Sequence, residues 1–109
     1  MERIFTAEYT DEALEQLSRL EDIEYEKIMK SIYVFERVGS RYKNLNNLGN
    51  GLYELKPDNV RAYFMYAKNR IIIIGLIVLK KSQKAPARYI KQARQNIEKY
   101  LSENKELIP

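Results

Sequence analysis

The second half of the chain contains six side chains that could together act on a phosphate group. They are Lys56, Arg61, Lys80, Lys81, Lys84 and Tyr89. Guanidinium and ammonium groups form charge-assisted hydrogen bonds with phosphate oxygens, and a phenol can donate a proton. Cations held together on a rigid scaffold repel one another, and an anionic ligand relieves that repulsion. These residue types predict a phosphate-binding site, provided that the fold brings them together.

Two missing residue types limit the chemistry that is open to this site. The chain has no cysteine and no histidine. Without cysteine it can form neither a disulfide framework nor a thiolate zinc site. Without histidine it lacks the commonest general base and the commonest metal ligand. Acid–base chemistry would have to use Lys, Tyr, Asp or Glu, and we expect neither a metal nor a cofactor.

Charge is distributed unevenly along the chain. Residues 1–38 carry 5 basic and 10 acidic side chains, whereas residues 39–109 carry 14 basic and 5 acidic ones. The two regions have net charges of −5 and +9, within a total of +4. A basic region of this size on a small domain favours a polyanionic partner, most simply nucleic acid. The alternative is that these lysines are ordinary solvated surface residues.

A predicted β-hairpin positions several of the six residues. Residues 60–67 alternate with a period of two, which is typical of a strand. Asn69 lies in a short polar turn, and residues 71–79 are apolar on both faces, as in a central strand. Arg61 lies inside the first strand, on the face opposite Val60 and Phe64. A buried arginine at such a position requires an anion.

The remaining elements complete an α+β fold. The sequence predicts a short strand at residues 3–10, then a helix N-capped by Thr10 and a second helix that ends at Gly39. Residues 39–51 are rich in Asn and Gly and predict a loop. A short strand follows at residues 52–56, and the last helix begins near a proline. The order β-α-α-β-β-β-α predicts an antiparallel sheet with an N-terminal helical hairpin and a C-terminal helix.

We expect residues 1–109 to form a single cytoplasmic domain. The N-terminus lacks the pattern of a signal peptide. The longest apolar run, residues 71–79, is shorter than the roughly 20 residues that cross a bilayer. We find no repeat, low-complexity segment or linker, and we expect no contact with a membrane.

Antiparallel pairing would bring the six residues to one end of the sheet. Arg61 begins one strand of the hairpin, and Lys80 and Lys81 follow the other. Lys56 ends the preceding strand, and Tyr89 lies one turn into the last helix. A plainer interpretation is that the lysines keep strand ends and turns soluble and that Tyr89 is a half-buried helix residue. Arg61 is the hardest of the six to explain in this way.

One run of the sequence resembles a known protein family. The run GLYELKPDNVRAYFMYAKNRIIIIGLIVLKKSQKAPARYIKQARQNIEKYL is similar to the RelE/HigB superfamily of bacterial toxins, in particular its phage Gp49-like branch. The matching features are the GLYEL strand, the arginine–aromatic strand, the apolar strand ending in KKxxKxP, and a helix containing Ala93 and Arg94. The resemblance implies a RelE-like fold and an endoribonuclease that cleaves mRNA, commonly on the ribosome. It also implies a helix-turn-helix antitoxin of the HigA type, bound in a toxin–antitoxin hetero-oligomer.

The family pattern matches this chain only in part. Arg61 matches the family's strand arginine, and Tyr89 falls where some members have a functional tyrosine. The basic residues after the last strand match Lys80, Lys81 and Lys84. Glu54 occupies a place where other members have lysine, and the histidine that some members use is missing. The identity of the acid and the base therefore stays open.

We predict metal-independent RNA cleavage in which the 2′-hydroxyl of the RNA attacks the adjacent phosphate. Arg61 and Lys81 would stabilise the charged transition state. Either Lys84 or Lys56 would act as the base, and Tyr89 would protonate the leaving oxygen or stack on a nucleobase. Further contacts with RNA are predicted for Lys80, Arg88, Lys91 and Lys43.

Two other functions remain alternatives. Relatives with the same fold include ParE-like toxins, which bind and inhibit DNA gyrase without cutting nucleic acid. The basic residues of the last helix would then form a protein interface. The chain could also be an RNA-binding module without turnover.

Overall fold

The computed structural model describes residues 1–80 and 84–109. Five strands form one mixed sheet in the order β1-β5-β4-β3-β2. The strands are β1 (Thr6–Tyr9), β2 (Leu45–Gly49), β3 (Leu52–Leu55), β4 (Val60–Tyr66) and β5 (Ile71–Leu79). The helices are α1 (Asp11–Ser18), α2 (Asp22–Val38) and α3 (Ala87–Glu103). The α+β class is therefore confirmed.

The edge strand β1 differs from the antiparallel sheet that the sequence predicted. It pairs with β5 in parallel, with Thr6 opposite Ile71 and Tyr9 opposite Ile74. The other strand pairs are antiparallel. Because β4 occupies one edge of β5, β1 takes the other edge. The alternation of apolar and polar residues is the same for either strand direction, so the sequence pattern did not reveal this pairing.

The segment predicted as a loop, residues 39–51, also contains the strand β2. A 3-10 turn at Gly39–Arg41 precedes it, and Asn46 in β2 lies opposite Glu54 in β3. The turn between these strands has positive φ angles at Gly49, Asn50 and Gly51, of 91°, 51° and 83°. Pairing with β3 makes this segment a strand although its Asn and Gly residues have low strand propensity.

The helical hairpin starts after Thr10 and ends at Gly39, as predicted, and it packs on the sheet as expected. The backbone N–H of Ala13 donates to Thr10 Oγ1 at 3.1 Å, which caps α1. The helix α2 ends at Gly39, whose φ of 59° favours glycine. Its stripe of Ile28, Ile32 and Phe35 is buried in the apolar core between the helical hairpin and the sheet.

The β4–β5 hairpin has an irregular register near its middle. Tyr63 pairs with Leu76, but Phe64 pairs with Ile74, so Gly75 is an extra residue in β5. A Cβ atom on Gly75 would lie 2.5 Å from Ile97 Cγ1 and 2.9 Å from the carbonyl oxygen of Ala93. Glycine at this position therefore allows α3 to pack closely on the sheet face opposite the helical hairpin.

No helix within residues 1–80 and 84–109 is both long and apolar enough to cross a membrane.

Candidate active site

Buried charged side chains lie at the end of the sheet where β4 begins and β5 ends. Arg61 in β4 is opposite Val78 in β5, and Tyr63 in β4 is opposite Glu54 in β3. Lys80 follows Val78 by two residues. Alternation along each strand therefore puts Glu54, Arg61, Tyr63 and Lys80 on the same sheet face, the one that carries α3. We call these four residues the buried polar cluster.

Arg61 has its anion within the protein. Its guanidinium Nε lies 3.7 Å from Glu54 Oε2, and the Arg61 and Glu54 side chains are 4% and 0% exposed. This distance makes an ion pair but is too long for a hydrogen bond. Arg61 Nη1 donates to the carbonyl oxygens of Val60, at 3.0 Å, and Asp58. The arginine therefore holds the β3–β4 turn, in which Asp58 has a positive φ of 58°.

Lys80 is the second buried cation of the cluster. It is 6% exposed, and its backbone N–H donates to the carbonyl oxygen of Asn59 at 2.7 Å. Burial lowers the pKa of its ammonium group, and Arg61 and Lys56 lower it further, while Glu54 acts in the opposite direction. Lys80 therefore loses its proton more easily than an exposed lysine does.

The two tyrosines beside the cluster differ in exposure. Tyr63 is fully buried, and burial followed by the Glu54 carboxylate raises the pKa of its phenol. Tyr89, in the first turn of α3, is partly exposed. Its ring packs edge-on against Tyr63, with the centroids 6.3 Å apart. The Arg88 guanidinium lies 4.7 Å from the Tyr89 ring centroid. The Tyr89 ring therefore lies between the buried polar cluster and solvent.

Three polar atoms of the cluster have no hydrogen-bond partner in the described part of the chain. They are Glu54 Oε2, Arg61 Nε and Tyr63 OH. The second carboxylate oxygen, Glu54 Oε1, accepts from Asn46 Nδ2 at 3.2 Å. Buried polar atoms without a partner are costly, and such groups are common where a protein binds a ligand or carries out catalysis.

The structure brings together four of the predicted site residues: Lys56, Arg61, Lys80 and Tyr89. Lys56 is close enough to Lys80 to lower its pKa. Lys84, Arg88 and Lys91 are exposed before and along the first turns of α3. Lys81 lies outside the described residues. Lys43 is not part of this cluster, because it lines a groove beside α2.

Glu54 and Tyr63 were not predicted as site residues. Glu54 stood out only as a carboxylate where the family has lysine. Its burial beside Arg61 depends on the register between β3 and β4, which the sequence pattern does not fix. Tyr63 lies two residues from Arg61 and so shares its face. No three acidic side chains in the described ranges are grouped to hold a metal ion.

Comparison with known proteins identifies a family and a similar fold. The family model of the phage-derived protein Gp49-like (DUF891) matches residues 15–98. A chain of the archaeal RelE–RelB complex from Pyrococcus horikoshii OT3 superposes with a TM-score of 0.58 at 18% sequence identity. The match covers 75% of this chain and 99% of that one. Such low identity concerns the fold alone. No curated protein matches the chain significantly.

Proposed function

The chain belongs to the phage-derived Gp49-like family, and we propose that it is the toxin of a type II toxin–antitoxin pair. The RelE-like fold supports this proposal. The charge of +9 over residues 39–109 supports a polyanionic target. We place the protein in the cytoplasm, where its target, mRNA, would be translated.

The proposed activity is metal-independent cleavage of mRNA. The 2′-oxygen of the RNA attacks the adjacent phosphorus, and the bond from phosphorus to the 5′-oxygen breaks. The products are a 2′,3′-cyclic phosphate and a 5′-hydroxyl. The nucleophile belongs to the substrate, so the protein has to align it, stabilise the phosphorane and move two protons.

Lys80 is the base in this proposal, in preference to Lys84 or Lys56. The observation that carries this choice is its burial beside Arg61, which lowers its pKa. A base is most effective when its pKa lies near the working pH, and an unperturbed lysine has a pKa of about 10.4. Neutral Lys80 Nζ would take the proton of the 2′-hydroxyl, and the Tyr89 hydroxyl would give its proton to the leaving 5′-oxygen.

Positive charge around the phosphate would come from both buried and exposed residues. Arg61 would act from within the cluster, held in place by Glu54. Lys56, Lys81 and Lys84 would also contact the phosphate. One donor of this kind typically contributes about 10²–10³ in rate. Arg88 and Lys91, exposed on α3, would bind RNA outside the cleaved bond.

The test is cleavage of a defined mRNA in EDTA, with and without ribosomes, and analysis of the product ends. We expect a cyclic phosphate and a 5′-hydroxyl from the wild type, and a loss of about 10²-fold or more in Lys80→Met and Tyr89→Phe. Lys105→Met is the control, because Lys105 is exposed next to Leu107, which contacts the opposite end of the β4–β5 hairpin. Arg61→Ala is less informative, because it would leave Glu54 buried without its cation.

A translation assay with the same purified protein distinguishes the proposed ribonuclease from the alternative gyrase inhibitor. A ribonuclease stops protein synthesis in a cell extract, whereas a ParE-like gyrase inhibitor does not. Full activity of both Lys80→Met and Tyr89→Phe would overturn the assignment of these residues. An unchanged RNA in every condition would overturn the enzyme itself.

The proposed partner is a small helix-turn-helix antitoxin of the HigA type that inhibits the toxin in a hetero-oligomer. A solved structure on which this chain superposes is itself a RelE–RelB complex. Co-purification of the toxin with the product of the adjacent open reading frame, and loss of RNA cleavage in that complex, would support the pairing. Undiminished cleavage in the complex would contradict it.

A further inference from the structure

A groove lies between α2 and the segment that leads into β2. It has a volume of about 420 Å³. Three lysines line it, Lys27 and Lys30 from α2 and Lys43 from the following segment. Val34, Tyr42 and Pro57 form its less polar walls. We call these six residues the lysine groove.

The lysine groove is basic although α2 lies in the acidic part of the chain. Residues 1–38 carry a net charge of −5, and Lys27 and Lys30 are the only lysines in that region. Both of them line the groove together with Lys43. Among the described residues that line the groove there is no carboxylate, and Asp58 outside the lining forms an ion pair with Lys27. Cations converging on a concave surface favour an anionic ligand.

The walls of the lysine groove also contain an aromatic ring that could contact a base or sugar. Ser31, which is 3% exposed, donates from Oγ to the Tyr42 hydroxyl at 2.7 Å and so fixes the tyrosine. The ring of Tyr42 is partly exposed and rests on the apolar core. An aromatic ring beside several lysines is the combination that binds single-stranded nucleic acid, through stacking and phosphate contacts.

One residue connects the lysine groove to the buried polar cluster. The carboxylate of Asp58 contacts Lys27 Nζ, and its carbonyl oxygen accepts from Arg61 Nη1. Asp58, in the β3–β4 turn, therefore contacts one residue of each site. Lys56 lies on the cluster side of this turn, and Pro57 lines the groove. An RNA strand bound at the buried polar cluster would pass over the β3–β4 turn to reach the lysine groove.

We propose that the lysine groove binds the phosphate backbone of the single-stranded RNA next to the cleaved bond. This proposal rests on the proposed function, because it extends the path of the same substrate. Lys27, Lys30 and Lys43 bind successive phosphates, and Tyr42 contacts a base or sugar. The groove contributes to affinity for a longer RNA and takes no part in the chemical step.

The experiment measures binding of 2′-O-methylated RNA, which lacks the attacking hydroxyl, at two lengths of about 4 and about 12 nucleotides. The variant is Lys30→Glu/Lys43→Glu. The matched control is Lys68→Glu/Lys105→Glu, which changes two exposed lysines near the β4–β5 turn. We expect the first variant to bind the longer RNA at least tenfold more weakly and the shorter RNA unchanged. The log–log salt slope for the longer RNA should fall by about 1.4, because each lost phosphate contact contributes about 0.7 for a single strand.

Equal weakening in both double variants would mean that only net charge matters, and it would overturn the proposal, as would no weakening in either. Failure of the proposed function gives a different result. If the wild type cuts no RNA but Lys30→Glu/Lys43→Glu still selectively loses the longer RNA, the groove is supported and the nuclease is not. If the wild type cuts RNA and this variant binds the longer RNA normally, the nuclease stands and the groove is overturned.

Discussion

The two faces of the sheet are built from different kinds of buried residue. Under the helical hairpin, Phe35 packs on Phe5 and Phe64 with ring centroids 5.7 and 5.0 Å apart. The face under α3 also has an apolar core, centred on Ile73 and Ile97. Only that second face holds the buried charges of the described chain, which belong to Glu54, Arg61 and Lys80.

This difference follows from how far each helix layer extends. The helical hairpin covers its face with apolar side chains up to Leu55 and Val60 at the end of the sheet. The helix α3 begins only at Ala87 and packs over Gly75, so the strand ends near Arg61 meet its first turn rather than its middle. We therefore infer that one face mainly provides stability, whereas the other holds costly buried charges that we attribute to the proposed function. The predictions below test this division.

The largest effect is expected from Phe35→Ala, on the sheet face that the helical hairpin of α1 and α2 covers. We call this face the hairpin face. Phe35 is fully buried among aromatic rings, so its truncation removes contacts and leaves a cavity. We expect a loss of about 3–5 kcal/mol in the free energy of unfolding, measured by urea denaturation. Tyr33→Ala, on the same helix but 56% exposed, is the control and should cost about 1 kcal/mol or less. A similar loss in both variants would contradict the assignment of this face to stability.

A comparable loss is expected from Arg61→Met on the other face, but it should be reversible. The single change leaves Glu54 buried without its cation, which typically costs about 3–5 kcal/mol. The double variant Glu54→Leu/Arg61→Met removes both charges and should recover most of that loss. It should nevertheless cleave no RNA.

Urea denaturation and the cleavage assay on the same three proteins test this expectation. Recovery of stability without activity would mean that the ion pair serves catalysis. If the double variant is as unstable as Arg61→Met, the pair is a structural element, and the contrast between the faces is weaker than we infer.

A smaller effect is expected from Gly75→Ala, which pushes α3 away from the sheet. The new Cβ would meet Ile97 Cγ1 at 2.5 Å and the Ala93 carbonyl oxygen at 2.9 Å, and backbone cannot move aside cheaply. We expect a loss of about 1–3 kcal/mol, as for other overpacked sites. Gln95→Ala, at an exposed position of α3, is the control and should cost about 0.5 kcal/mol or less. Equal stability of wild type and Gly75→Ala would refute the close packing.

The sequence predicted the hairpin face of the sheet more completely than the face under α3. Apolar spacing located α2 and its buried stripe of Ile28, Ile32 and Phe35, because such a pattern is local. It also located β4 and β5 with their turn. The parallel pairing of β1 and the strand β2 depend on contacts between distant segments, and no local pattern carries them. For the same reason the sequence indicated that Arg61 needs an anion but not that Glu54 provides it.

The smallest effects concern pH, and two residues on different faces, Tyr9 and Lys80, contribute to it with opposite signs. On the hairpin face, burial followed by the Glu36 carboxylate raises the pKa of Tyr9 from 10.0 to about 12. The folded protein then holds this proton more tightly than the unfolded chain, so stability falls as the pH rises from 10 to 12. On the other face, the pKa of Lys80 is lowered from 10.5 by burial. The folded protein holds this proton less tightly, so stability rises with pH until the unfolded chain also loses it near 10.5.

Two variants separate these contributions in urea denaturation measured from pH 7 to pH 12. Tyr9→Phe should reduce the decline between pH 10 and pH 12, to which Tyr100 also contributes, and leave the lower range unchanged. Lys80→Met should flatten the rise below pH 10.5 and leave the decline unchanged. Lys105→Met, which removes an exposed ammonium, should reproduce the wild-type curve in both ranges. If Lys80→Met also follows the wild type, Lys80 titrates as an ordinary lysine and can no longer be preferred over Lys84 or Lys56 as the base.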